Sequence, residues 1–289
     1  MRPAFTSARR ARALLGTFVE IEARGISRRG LDAAIEEAFR VVAEVQRLMS
    51  PCDPASDVSR LNREAAARTV TVHPWTHEVL AAALELQVAT DGLFDIGVAP
   101  PGRPVPRSTR PAIELMDGRR VRFLRRDFSI DLGGIAKGFA VDRAVLTLHA
   151  RDVPQGVVNA GGDVAVFGVD ESTIAIRHPR HPGSILCRLE LRNEALASSS
   201  GRIDLFESSA VMAPAIIDPR TGTPARAVLG ATVRASTCMV ADALTKVVML
   251  GGERVAALLA HYGASALFLA NDGELRITRD WWGRVRLAA

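Results

Sequence analysis

Apolar residues recur at two different spacings in this chain, and the order of the spacings limits the fold. Arg28 to Met49 places Leu31, Ile35, Ala38, Val42, Val45 and Leu48 at three- and four-residue steps, the period of an amphipathic helix. The second half of Leu14 to Ala23 instead alternates apolar and polar residues, as a half-buried strand does. Ser50-Pro51 ends the first helix, and a loop is predicted to Asn62. Thr76 to Thr90 reads as a second helix. Pro100 to Pro111, with five prolines, reads as an exposed loop. A short strand at Phe128 to Asp131 runs into a helix from Ile135 to about His149. Strands are expected at Gly156 to Asn159, Val164 to Phe167, Thr173 to Arg177, Ile185 to Leu191 and Ala231 to Ala235. Met239 to Leu250 is an apolar helix closed by Gly251-Gly252, and Ala256 to Tyr262 is a further helix. Ala266 to Ala270 and Glu274 to Thr278 form a hairpin around Asn271-Asp272-Gly273. Strands and helices mix without strict βαβ alternation, which predicts an α+β fold over a doubly wound sheet. With no repeat and no linker, residues 1–289 read as one domain, with 1–12 expected as a disordered basic tail.

Composition narrows the class. Of the 289 residues 48% are hydrophobic and 24% charged, which excludes a disordered or fibrous chain. Lys and Arg total 37 against 32 Asp and Glu, giving a formal charge of +5. The basic residues are scattered and aromatics are 5%, so no dedicated nucleic-acid surface is expected. Only two of the basic residues are lysines, Lys137 and Lys246. Cys52, Cys187 and Cys238 show neither metal-ligand nor CxxC spacing and read as reduced thiols. No run of about 18 apolar residues exists, so no helical membrane span is expected. The apolar stretch after Arg9-Arg10 is too short for a signal peptide, which makes a cytoplasmic location the expectation.

Several segments carry residue types suited to chemistry. Asp131-Leu-Gly-Gly-Ile-Ala-Lys137-Gly-Phe-Ala-Val-Asp142 reads as a strand ending in an acid, a glycine turn and a helix start. Exposed N–H groups at such a helix end suit a phosphate. Lys137 lies in the first turn, where a cation is unfavourable by roughly 0.3–1 kcal/mol unless an anion is near. A glycine turn with a solvent-facing lysine explains the segment too. Asn159-Ala-Gly-Gly-Asp163 either brings backbone close to a ligand or forms a plain β-turn. Asp218-Pro-Arg-Thr-Gly222 has turn chemistry. In Ala241-Asp242-Ala-Leu-Thr245-Lys246, Asp242 and Lys246 are four apart and can pair. An unpaired carboxylate in so apolar a helix would be costly, and a hard cation is another way to satisfy it. Gly92-Leu-Phe94-Asp95 follows a helix end.

In this order, Leu15-Gly-Thr17, Met49-Ser50 with Ser56-Asp-Val-Ser-Arg-Leu-Asn62, GLFD, DLGGIAKGFAVD, NAGGD, IIDPRTG and ADALTK resemble the ApbE-type FAD:protein FMN transferases. The likeness runs from about residue 13 to 280. It implies a single α+β unit with mixed or antiparallel sheets and a flavin-binding cleft. It implies cleavage of the FAD pyrophosphate with Mg2+, transfer of FMN to a Ser or Thr of an acceptor flavoprotein, and release of AMP. By this resemblance Asp242 and Lys137 carry the catalysis. Leu15, Leu93, Phe94, Asp95, Asp131, Lys137 and Ile216 bind the cofactor. Gly134, Asp242 and Thr245 hold the metal. Three positions depart from the family pattern. Cys52 replaces an aromatic residue, Ala215 replaces a His, and Lys246 stands where a metal-binding Thr is usual. Thr245 is one place early, about 100° around the helix. An ammonium at Lys246 could occupy the cation position instead. An FAD-binding relative without transfer activity and an FAD pyrophosphatase are the alternative functions.

Overall fold

The polypeptide first reverses direction at Leu15-Gly16, where both residues have positive φ (56° and 69°), the pattern of a tight two-residue hairpin. The computed structural model describes residues 6–25, 27–98, 112–181, 183–200, 216–225, 228–281 and 285–287. The expected loop over Pro100 to Pro111 falls outside these residues, as does Ala215.

The main sheet has eight strands lying side by side in chain order, every neighbouring pair antiparallel. They are β1 (Thr6–Leu14), β2 (Thr17–Gly25), β3 (Gln155–Ala160), β4 (Asp163–Phe167), β5 (Glu194–Ser200), β6 (Val228–Ala235), β7 (Ser265–Ala270) and β8 (Leu275–Ile277). β1 corrects the expected disordered tail over residues 6–12. Its backbone pairs with β2 from Thr6 to Leu14, and its arginines are neutralised in place. Arg9 pairs with Glu20, Arg10 with Asp32 and Arg12 with Glu36. Such exposed pairs add little stability each, but charged side chains keep an edge strand from pairing with another molecule.

The helices are α1 (Arg28–Met49), α2 (Asp57–Glu64), α3 (Pro74–Ala89), α4 (Ala136–Ala150), α5 (Cys238–Gly251) and α6 (Ala256–His261). α1 has the bounds read from its periodicity. Ser27 caps its first turn, and Leu31, Ile35, Phe39, Val42, Val45 and Leu48 are buried. Burying side chains of this size contributes about 1.5–3 kcal/mol each. α2 corrects the loop expected before Asn62: Ser56 accepts the Ser59 N–H at 3.0 Å and starts a short helix.

Strand parity decides what each face of the sheet meets. On β4 and β5, Ala165, Phe167, Ala195 and Ala197 join the core formed with the helices. Val164, Val166 and Leu196 face the other way, into a second core with Ile176, Leu189, Leu191 and Trp281. A three-stranded sheet of Ser172–Arg177, Ile185–Leu191 and Val285–Leu287 supplies much of that second core. Asp163 shares the parity of Ala165 and Phe167, so it points toward the helices. Ser199 shares the parity of Ala195 and Ala197 and does the same.

Helices α4 and α5 pack together on that face. A Cβ on Gly138 would lie 2.3 Å from the Cys238 carbonyl oxygen and 2.8 Å from Asp242 Cβ. The two helices therefore approach as closely as only glycine allows. Replacing Gly138 with Ala is expected to cost about 1–3 kcal/mol through overpacking, measured as a fall in the urea midpoint. An unchanged midpoint would show that the helices separate freely.

Candidate active site

Helices α4 and α5 satisfy each other's first turns. The Asp142 carboxylate of α4 accepts the Cys238 N–H at 2.7 Å and the Met239 N–H at 2.8 Å. The Asp242 carboxylate of α5 accepts the Gly138 N–H at 3.1 Å. Neither α4's own N-cap, Ile135, nor its first turn supplies a capping side chain, so Asp242 fills that need from outside. Both carboxylates also sit at the positive ends of helix dipoles.

Around Asp242 four charged groups form one cluster. Lys137 Nζ pairs with Asp163 Oδ2 and lies 3.5 Å from Asp242 Oδ2. Lys246 Nζ pairs with Asp242 Oδ1 and donates to the Asp242 carbonyl at 2.9 Å. The carboxylates are buried, with side-chain exposures of 1% for Asp163 and 0% for Asp242. The lysines keep a wet side, at 32% for Lys137 and 18% for Lys246. A ligand arriving from solvent thus meets the lysine side chains before the carboxylates.

Burial opposes the charge on both acids, and their surroundings separate them. Burial and repulsion from Asp242 raise Asp163 to about 6, against the pull of Lys137 and Lys246. Burial acts the same way on Asp242, but Lys246, Lys137 and the Gly138 N–H together hold it below the usual carboxylate range. Burial pulls Lys137 down, yet Asp163 and Asp242 outweigh it and keep the ammonium charged. The anion that the first-turn position of Lys137 requires is therefore supplied by the protein's own carboxylates.

The remaining motif segments meet through specific contacts. A Cβ on Gly161 would strike Thr17 Oγ1 at 2.6 Å, and its φ is +65°, so two hairpin tips abut there. Leu15, at the first tip, donates its N–H to Gln46 Oε1 at 2.5 Å and packs against the core. Asn62 clamps the strand before Asp131. Its Nδ2 donates to the Ile130 carbonyl at 3.0 Å, and its Oδ1 accepts the Ile130 N–H at 2.8 Å. A Cβ on Gly134 would lie 3.6 Å from both Phe94 Cε2 and Lys246 Cε. Phe94 itself is buried in the core and Leu93 partly so. Gly92 neighbours Arg220, so the GLFD loop lies beside the Asp218 turn. In that turn the Thr221 and Gly222 N–H groups donate to the Asp218 carbonyl, and Ile216 just before it packs on the core.

Two expected cofactor ligands have other partners. Asp131 is exposed and turns its Oδ1 back onto the Gly133 N–H at 2.7 Å. Asp95 accepts from Gln87 Nε2 at 2.8 Å and from the Gly97 N–H at 2.7 Å. That carboxylate holds its own loop, and burial raises its pKa. Cys52 is exposed and has no stacking surface to offer.

The donor set expected for Mg2+ is committed elsewhere. Thr245 is buried and bonds the Asp242 carbonyl and Ser199 Oγ, each at 2.7 Å. Asp242 Oδ1 is held by Lys246, and its Oδ2 by Gly138 and Lys137. Among the described residues no group of three or more His, Cys, Asp or Glu side chains is placed to hold a metal ion. As arranged, these residues do not fit Mg2+, which needs near-octahedral oxygen ligands.

Asp163, Asp142, Gly138 and Asn62 carry much of this geometry, although the sequence motifs that contain them gave them no role of their own. Their signals were the parity of β4, the position of Asp142 one turn beyond Lys137, and the glycine three residues into the helix.

An antiparallel sheet carrying paired helices, with a buried two-acid, two-lysine cluster at a helix N-terminus, defines the class of site. A model of the ApbE family matches residues 15–268, and the chain belongs to that family. The FAD:protein FMN transferase of Treponema pallidum (strain Nichols) is 27% identical over 322 residues, covering 96% of this chain and 88% of that protein. The FAD:protein FMN transferase of Vibrio cholerae is 29% identical over 246 residues, covering 75% and 73%. The crystal structure of the ApbE protein from Thermotoga maritima superposes with a TM-score of 0.87 at 25% identity, covering 97% of this chain and all of that one. No helix among the described residues is long and apolar enough to cross a membrane.

Asp142 gives the site a measurable pH signature. Burial raises it from the ordinary 3.8 to about 6, despite its two N–H donors. A carboxyl raised in the folded state stabilises most below its unfolded pKa, and that contribution is lost as pH rises through the folded value. Between about pH 4 and pH 6, wild type should therefore lose up to about 3 kcal/mol relative to Asp142→Asn. Urea unfolding at stepped pH measures the two stabilities, and a wild type that holds or gains stability relative to Asp142→Asn as pH rises over this range would contradict it.

Proposed function

We propose that this protein transfers the FMN part of FAD to a Ser or Thr hydroxyl of an acceptor protein and releases AMP. Membership of the ApbE family and relatives named FAD:protein FMN transferase support the reading. The observation that carries it is Lys137, held charged at the first turn of α4 by Asp163 and Asp242 with one side open to solvent. A diphosphate placed there meets an ammonium and the positive end of a helix.

The reaction is a displacement at phosphorus. The acceptor oxygen forms a bond to the FMN phosphorus. The bond from that phosphorus to the bridging oxygen breaks, AMP leaves with the bridging oxygen, and the hydroxyl proton is lost to water. Negative charge gathers on the leaving phosphate, and prepositioned cations stabilise it without reorganising. Asp163 and Asp242 contribute by fixing Lys137 in one direction. Asn62, Phe94 and the abutting hairpin tips position the surrounding loops. No step is assigned to Mg2+, because Asp242 and Thr245 are already engaged.

The test combines the protein, FAD and candidate acceptors, with mass spectrometry for an FMN adduct and chromatography for AMP. An adduct with matching AMP is expected. Lys137→Met should lower the rate by about 100-fold or more. AMP and free FMN without acceptor would identify an FAD pyrophosphatase instead. FAD binding with no AMP at all would identify a binding protein.

A further inference from the structure

We propose that the Lys246 ammonium is the resident cation of this site: it takes the place beside Asp242 that a divalent ion would need, and it frees the site from metal.

Three observations on α5 lead there. First, Lys246 Nζ bonds two oxygens of one residue, the Asp242 carboxylate Oδ1 and the Asp242 carbonyl. A hard cation would seek the same pair of oxygens. Second, the side chain reaches over the Gly133-Gly134 turn, with Cε 3.6 Å from where a Cβ on Gly134 would be. The ammonium thus lies between the α5 acid and the turn that leads into α4. Third, Thr245 is turned away, its hydroxyl engaged by Ser199 and by the Asp242 carbonyl. Its hydroxyl and the Asp242 carboxylate are accordingly not gathered around a common point.

Charge counting gives the consequence. Asp163 and Asp242 carry two negative charges, and Lys137 and Lys246 carry two positive ones, so the cluster is neutral as it stands. A divalent ion added beside Asp242 would leave two uncompensated positive charges in a largely buried place, unless Lys246 swung away. Removing the Lys246 charge reverses this. The cluster then has one excess negative charge and an Asp242 Oδ1 that has lost its lysine partner, which is the condition for attracting a divalent cation. Lys246 is a positioning residue for Asp242 and, through its wet face, a cation for an anionic ligand. For the identity of that ligand, the inference rests on the FAD reading above. For the cation itself it does not.

The experiment therefore reads metal binding without flavin. Mn2+ is titrated by electron paramagnetic resonance into the full chain as wild type, Lys246→Thr, and Lys246→Thr with Asp242→Asn, circular dichroism confirming a native fold. Wild type should show no saturable site at millimolar Mn2+. Lys246→Thr should gain one site, and the double variant should lose it again. In parallel, FAD is titrated into wild type with EDTA or with Mg2+, and equal affinities are expected. A stoichiometric Mn2+ site in wild type that Asp242→Asn removes would overturn the proposal. So would a natively folded Lys246→Thr that gains no site, or FAD affinity that rises sharply with Mg2+. Failure of FAD to bind in either buffer would refute the flavin reading, while the Mn2+ titrations would still decide the role of Lys246.

Discussion

Everything at this site depends on the close approach of two helices that cap one another. Asp142 on α4 accepts the first amides of α5, and Asp242 on α5 accepts an amide in the first turn of α4. The exchange works only at very short separation, and Gly138 makes that separation possible. Each carboxylate is half of a structural bond and half of an electrostatic environment. The groups that build the active region are therefore the groups that hold it together.

This double use explains the lysines. Two carboxylates buried near one another repel, and each would be expensive to keep ionised alone. Lys137 and Lys246 neutralise them from the solvent side. Asp242 receives both lysines and an amide and stays fully ionised. Asp163 receives mainly Lys137 and is pushed up toward neutrality. The arrangement keeps the Lys137 ammonium charged. A chain with 35 arginines uses its only two lysines here. A compact ammonium fits beside a carboxylate and a carbonyl where a planar guanidinium would need a wider fork.

Family membership and the observed architecture agree on the fold. The Thermotoga maritima structure shares the fold, with a TM-score of 0.87 over 97% of this chain. Lys246 is one side chain on α5, and it occupies both Oδ1 and the carbonyl of Asp242. An ion-pair partner built into the helix is present at fixed stoichiometry, whereas a dissociable ion depends on its concentration.

The amphipathic period of α1 determined that helix from Arg28 to Met49 without any tertiary information, because one of its faces stays wet and the pattern is clean. Ordered glycine, acid and lysine motifs likewise determined the family resemblance. Other elements were not legible in this way. β5 is buried on both faces over Ala195 to Ala197 and ends in three serines, so Glu194 to Ser200 shows no alternation to read, and α2 is too short for its period to register. Residues 6–12 read as a basic tail because the acids that neutralise them, Glu20, Asp32 and Glu36, lie elsewhere in sequence. The role of Asp163 was hidden for the same reason: its partner, Lys137, is 26 residues away and on another element. Sequence spacing along one helix placed Lys246 beside Asp242, since four residues make about one turn. Only the folded chain decided that Lys137, Asp163 and the Gly134 turn would gather around that pair, because long-range strand pairing and helix packing set which charges share a dry interior.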